Sequence, residues 1–285
     1  MLTTSVEAIW VLQALLGVES MPVALHLKPF IPSVHESLMV DTDAGQVPIS
    51  QTAQYHSLVQ AGVIDAAGHV DDVVRDWMTV LGRPDRQVVL TIRRPSGVVV
   101  NGAPPTVHER VLVICRHRRW MAMAARDGDE MVIGGVGEAD DPDRQIELMC
   151  QVLVPPFGEM PAADIDGVNV PADLLQSAME AAAPLGRGAV SAALAKLGLP
   201  PHEVEVVMAA SRLDESAMAV VMLVDHGLQR RAHPRVLTVA DTEFGRISFT
   251  TTTGADGKEW LSIWPTTPAG LRDDLTDLLS ARQAG

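Results

Sequence analysis

The same pattern occurs twice along this chain of 285 residues, and that duplication limits the fold more than any other feature. Leu58-x-x-x-Gly62-Val63 matches Leu194-x-x-x-Gly198-Leu199, and Val73-Val74 in the following helical stretch matches Val206-Val207. Gln87–Ile92 then corresponds to Ala217–Met222, Arg110-Val111-Leu112 to Arg235-Val236-Leu237, and Glu130-Met131 to Glu259-Trp260. The closing segments, from Pro142 to Leu153 and from Pro268 to Leu279, also agree. A period this long is one duplication rather than a solenoid of short repeats. A sheet built from one such unit cannot cover both its faces, and joining two units edge to edge removes that problem. The expected fold is α+β, with a central twisted antiparallel sheet of two related halves about a pseudo-two-fold and with flanking helices. The halves span approximately 1–155 and 156–285 of a single domain covering 1–285, and the opposite sheet face is free to stay open.

Apolar periodicity fills in the elements. Leu2–Val6, Pro22–Leu27, Gln87–Ile92, Arg110–Cys115, Trp120–Ala125 and Glu130–Ile133 read as strands of the first half, the last three forming a meander. Glu7–Leu16, Ala53–Ala61, Val70–Leu81 and Arg144–Leu153 read as helices. The third of these shows Val70, Val73, Val74, Trp77, Met78 and Leu81 on one face. Phe30–Thr52 and Pro95–Pro105 read as irregular loops. In the second half Pro171 suits the first position of a helix running to about Ala182. Helices at Ala189–Leu197 and His202–Ala210 follow, giving this half a helical bundle. Strands come next at Ala217–Val224, Arg235–Val239, Arg246–Thr252 and Glu259–Ile263, with a last helix over Ala269–Leu279.

Composition narrows the function. The formal charge of −14 opposes nucleic-acid binding, which needs a net basic face. Arg116-His117-Arg118-Arg119 and Arg230-Arg231-Ala232-His233-Pro234-Arg235 fall between strand-like runs and read as solvated turns. Apolar residues make up 47% and aromatics only 4%, so the core is aliphatic. Cys115 and Cys150 form no C-x-x-C pair and read as buried free thiols of a reducing compartment. The first residues lack the basic region of a signal peptide, and no apolar run reaches the roughly 18 residues of a membrane span. The reading is a cytoplasmic protein with no membrane insertion.

The sequence carries no recognisable catalytic or metal-binding motif. His108-Glu109 and His202-Glu203 open like H-E-x-x-H, but Leu112 and Val206 stand where the second histidine belongs. Gly134-Gly135-Val136-Gly137 lacks both phosphate-loop spacings and is followed by Glu138, Asp140 and Asp141, so it reads as a plain turn. The acidic pairs Asp71-Asp72 and Asp273-Asp274 fit helix N-termini.

Several motifs are nonetheless familiar as a set. Leu2-Thr3-Thr4-Ser5-Val6-Glu7-Ala8-Ile9-Trp10-Val11-Leu12-Gln13 resembles the start of the EspG family, the cytosolic chaperones of mycobacterial type VII (ESX) secretion. Leu81-Gly82-Arg83-Pro84-Asp85-Arg86, Ala125-Arg126-Asp127-Gly128-Asp129, Asp241-Thr242-x-x-Gly245-Arg246-Ile247, and Glu259-Trp260 leading to Pro265-Thr266-Thr267-Pro268 add to the resemblance, in order, along the whole chain. It implies a non-enzymatic, cofactor-free chaperone that binds PE–PPE heterodimers through the apolar tip of the PPE protein. Such a chaperone keeps them soluble and meets the secretion machinery only indirectly.

The resemblance also implies that the second half, its strands together with the preceding helical bundle, receives that tip. Here this means Ala217, Ala219 and Val221 on one strand face, with Val236, Thr238 and Ala240 beside them, while Met218, Val220 and Met222 form the covered side. The alternative from another class is a small-ligand binder or hydrolase on the open sheet face, with His108 or His226 as base.

Overall fold

The computed structural model describes residues 1–29, 38–42, 45–95, 106–211, 216–227, 229–254 and 257–281. The element order is the same twice over. The first half runs β1 (Leu2–Ser5), α1 (Val6–Leu16), a hairpin of β2 (Met39–Thr42) and β3 (Gly45–Pro48), α2 (Ala53–Gln60) and α3 (Asp72–Gly82). It continues with β4 (Arg86–Pro95), β5 (Val107–His117), β6 (Trp120–Asp127), β7 (Glu130–Glu138) and α4 (Pro142–Leu153). The second runs β8 (Val168–Pro171), α5 (Ala172–Ala182), α6 (Arg187–Lys196), α7 (Pro201–Ala210), β9 (Ala217–His226), β10 (Arg230–Thr242), β11 (Gly245–Thr253), β12 (Glu259–Pro265) and α8 (Pro268–Ser280). The hairpin aside, each half is strand, three helices, four strands, helix. Ten strands make one sheet in the order β1-β7-β6-β5-β4-β9-β10-β11-β12-β8. Read outward from the β4/β9 middle, the two directions meet equivalent strands, as a duplicated chain requires.

By its contacts the chain gathers into two compact units. One is Met1–Val89 with Arg110–Met149 and Val224–Arg231; the other is Leu90–Glu109 with Cys150–Leu223 and Ala232–Gly285. In the first unit Ser5 caps α1 by accepting the Ala8 N–H, and Gly17, at φ 64°, ends it. Asp71 caps α3 by accepting the Val73 and Val74 N–H groups at 3.0 and 3.1 Å. Val74, Met78 and Leu81 of that helix are buried, but Val73, expected on the same face, is exposed.

Several elements differ from the sequence reading. Pro22–Leu27 is not a strand: Val23–Leu25 is a single 3₁₀ turn ended by His26 at φ 48°. The Arg126 guanidinium takes up the carbonyls of Leu25 and His26 at 2.7 and 2.9 Å, so the turn is held from outside rather than by a sheet ladder. Part of the expected loop Phe30–Thr52 is the β2–β3 hairpin; residues 30–37 and 43–44, like 96–105 of the other expected loop, lie outside those described. Pro171 precedes α5 rather than opening it, and closes strand β8, which pairs with β12.

The Gly134–Gly137 run is no turn either, because β7 continues through it. Met121 pairs with Gly137 and Ala122 with Gly135, leaving Val136 as an extra residue, a β-bulge. Gly137 sits at φ 146°, and a Cβ on Gly135 would lie 2.9 Å from Trp77 Nε1. The glycines thus serve a bulge and a close helix approach.

Cys115 and Cys150 are buried and unbridged. Burial pushes the Cys115 thiol from 9.0 up to about 12, with a weak opposing contact from Gln87. A thiol whose folded value is raised stabilises the fold fully below the free value. That contribution is lost as the pH climbs from 9.0 toward about 12, since only the unfolded chain then ionises. The parent chain should therefore lose stability relative to Cys115→Val over this window, as measured by urea midpoints at stepwise pH. The parent thiol should also resist an aromatic disulfide reagent at pH 8 until the chain is unfolded.

Candidate functional site

Antiparallel register decides which residues share a face, since directly paired residues stand on the same side. In the second unit Thr238 pairs with Phe249, which pairs with Ile263, and Ala240 pairs with Ile247. On this side lies a core formed by Ala240, Ile247 and Ile263 with Val190 and Leu194 of α6 and with Val204, Val206 and Val207 of α7. Seven of the ten residues of α7 are buried, Glu203 among them, which suits an element packed on more than one side. Val239 pairs instead with Ser248, whose hydroxyl donates to Asp274 of α8 at 3.1 Å. The two sides of these strands thus face different helices.

The six expected contact residues do not form one surface. Ala217 and Ala219, together with Met218 between them, line a small hollow with Ile92, Arg94, Phe157, Val239 and Asp241; alternation along β9 puts Ala217 and Ala219 on one side and Met218 on the other. Val236, Thr238 and Ala240 stand on the other side, by alternation along β10. Burial also reverses the assignment within β9. Ala219 and Val221 are 6% and 0% exposed, whereas Met218, Val220 and Met222, expected to be covered, are only half-buried. Ala240 is fully buried beneath the helices, while Val236 and Thr238 are half-buried. The sequence Ala217–Val224 is apolar at every position, so alternation carried no signal there, and a slip of one residue exchanges the faces.

What remains accessible is an apolar strip: Met218, Val220 and Met222 of β9 with Val236 and Thr238 of β10. Two leucines of the helical bundle, Leu174 on α5 and Leu185 in the 3₁₀ turn after it, are 52% and 76% exposed. Methionines suit a surface that must adapt to a partner. The strip carries no titratable group.

On the opposite side of these strands, beside the hollow, stands Arg246, one of the motif residues and 1% exposed. The guanidinium forks onto Asp241 at 2.6 and 2.9 Å and donates to the carbonyls of Phe157 and Gly158 at 2.8 and 3.1 Å. It also lies 5.8 Å from the Phe157 ring centre. Gly245 beside it sits at φ 117°, where a Cβ would meet the Ala162–Ala163 backbone at 2.7 to 2.8 Å. The Asp241-Thr242-x-x-Gly245-Arg246 motif is thus a structural clamp between the β10–β11 turn and the segment after α4.

The alternative chemistry finds little support in the geometry. His226 Nε2 lies 2.9 Å from Gln87 Oε1. Burial and the Arg230 charge lower its affinity for a proton, against smaller opposing effects of Asp225 and Asp85. Asp225 is itself paired with Arg86 at 2.7 Å. His108 is exposed on β5. Among the described residues, no group of three or more His, Cys, Asp or Glu is placed to hold a metal ion, and no helix is long and apolar enough to cross a membrane. The Arg230–Arg235 stretch is part of β10 rather than a turn.

Comparison with known proteins agrees over nearly the whole length. The family model described as the EspG family matches residues 5–277. The ESX-2 secretion-associated protein EspG2 of Mycobacterium tuberculosis is 30% identical over 253 residues, covering 87% of this chain and 83% of that protein. The ESX-5 secretion-associated protein EspG5 of Mycobacterium marinum is 26% identical over 280 residues, covering 94% and 89%. The fold is shared with the Mycobacterium tuberculosis type VII secretion system chaperone EspG5, solved in complex with a PE25–PPE41 dimer. That match has a TM-score of 0.76 at 21% identity and covers 100% of this chain and 97% of the other.

Proposed function

Since this chain belongs to the EspG family, we propose that it is a cytosolic chaperone that binds PE–PPE heterodimers and delivers them to a type VII secretion system. The family match over residues 5–277 carries this reading. The chain works by binding, with no reaction and no cofactor of its own, and its two halves act as one domain. An elongated helical bundle with an apolar tip promotes its own association, and a chaperone that covers the tip holds the bundle soluble until export.

The tip packs on the strip Met218, Val220, Met222, Val236 and Thr238, with the helical bundle of α5 to α7 alongside. This placement rests on two features: the strip is half-buried in the free chain, and it is apolar without a titratable group. Co-expression with each PE–PPE pair of the same genome, followed by size-exclusion chromatography, tests the function. One pair or a few should co-elute with the chain as a stoichiometric complex. Separate elution of every pair would overturn the chaperone reading.

A further inference from the structure

The basic run between β5 and β6 has no part in the docking strip. Two of its four residues are engaged within the fold. The Arg116 guanidinium pairs with Asp85 at 2.6 Å and reaches Gln145 at 3.2 Å, and the His117 ring meets the Arg83 carbonyl at 2.7 Å. The other two are different. Arg118 and Arg119 are exposed, and among the described residues neither guanidinium has an acidic partner, on a chain of net charge −14. Together with Trp120, Asp140 and Gln145 they line an open hollow of about 460 Å³.

The hollow is built on a fixed base. Gln145, 7% exposed, donates to the carbonyls of Arg118 and Ala139 at 3.3 and 2.7 Å. The Arg118 N–H is held by Asp85 Oδ2. The Arg119 guanidinium lies over the Trp120 ring, 5.0 Å from its centre. Stacking of this kind orients the planar fork and leaves its edge N–H groups free for a carboxylate. Trp120 itself is 47% exposed.

The turn conformation adds an independent observation. His117 pairs with Trp120, so Arg118 and Arg119 form a two-residue hairpin loop. Arg118 has φ 57°, a region that glycine occupies at no steric cost and that other residues rarely adopt. A charged side chain stands where glycine would suit the backbone better, and such outliers gather at functional positions.

We propose that this hollow docks an acidic peptide segment of a partner protein. Two neighbouring Asp or Glu side chains meet Arg118 and Arg119, and an apolar side chain of the segment rests on Trp120. Asp140 on the same rim, and Glu138 opposite Trp120, oppose any anion, a phosphate as much as a carboxylate; a peptide alone offsets this by offering Asp140 a backbone N–H to accept. The net negative charge of the chain likewise opposes a polyanion at long range, which restricts the ligand to a short segment with few carboxylates. This site is separate from the proposed strip for the PPE tip.

The test is fluorescence anisotropy of fluorescein-labelled Gly-Glu-Glu-Phe-Gly against the full chain, its Arg118→Gly and Arg119→Ala variants, and a Gly-Gln-Gln-Phe-Gly control. Saturable binding to the parent is expected, weakened at least tenfold in each variant and at least tenfold for the glutamine peptide. Arg118→Gly should melt no lower than the parent, since glycine relaxes the turn, so its loss of binding cannot come from unfolding. Arg119→Ala, at an ordinary backbone position, repeats the test without touching the strained residue. Absence of saturable binding, unchanged affinity in both variants, or equal binding of the glutamine peptide overturns the proposal. So does displacement by inorganic phosphate or a short DNA oligonucleotide as effective as that by unlabelled acidic peptide.

Discussion

Arg246→Leu lowers the stability of the chain by about 3–5 kcal/mol, the cost of breaking a buried ion pair from one side. The substitution strands the Asp241 carboxylate and removes the donors to the Phe157 and Gly158 carbonyls. Leucine fills part of the volume but satisfies none of those acceptors, and an unpaired buried acceptor costs more than the hydrogen bond contributed. Lysine is no substitute, since its single ammonium cannot fork across both carboxylate oxygens while reaching two carbonyls. Asp241→Asn should cost less than Arg246→Leu, because the amide still accepts one of the two bonds and the arginine keeps both carbonyls. Urea denaturation of the three chains checks this order. An Arg246→Leu chain within about 1 kcal/mol of the parent would show that the clamp is incidental to stability.

Val220→Arg should abolish capture of the cognate PE–PPE pair, with at least a hundredfold loss of affinity, while the melting temperature stays near that of the parent. Val220 is half-buried on the accessible side of β9, so an arginine stem lies along the strip with its head in water when the chain is alone. When an apolar tip covers the strip, that head is desolvated without a partner, and hundredfold corresponds to about 2.7 kcal/mol. Ala219→Arg separates the two faces. Its position is 6% exposed on the opposite side, so the same new residue there should destabilise the fold itself. Pull-down and thermal melting of both variants decide the matter. If Val220→Arg captures the pair at parental strength, the strip is not the interface, whatever the co-expression experiment has shown.

The repeat was legible because paired motifs such as Leu58/Gly62 and Leu194/Gly198 punctuate both halves at helix ends. Burial of the faces was much less legible. In α3, polar residues between Val74, Met78 and Leu81 mark the buried stripe. In β9 every residue from Ala217 to Val224 is apolar, so only the register with β10 could tell inside from outside. Strand β8 escaped notice because four residues ending in proline carry too short a pattern, and Pro171 reads equally well as a helix start. The glycines of β7 misled for a related reason: composition alone cannot separate a turn from a bulge that admits Trp77. Nothing in the sequence marks Arg246 as a clamp, since its partners at Phe157 and Gly158 are distant in sequence.

The strand order has a further consequence at its two ends. An open sheet of ten strands offers two rims of unpaired backbone groups, and such rims invite stacking into filaments. Among the described residues, those rims are β1 and β8, each only four residues long. Pro171 also removes one N–H from the second rim. The brevity of these strands is thus a protection against polymerisation, suited to a protein whose proposed work is to keep others from clumping. A longer rim built by extending β8 through Pro171→Val should let copies of the chain add edge to edge, visible as light scattering that grows with protein concentration.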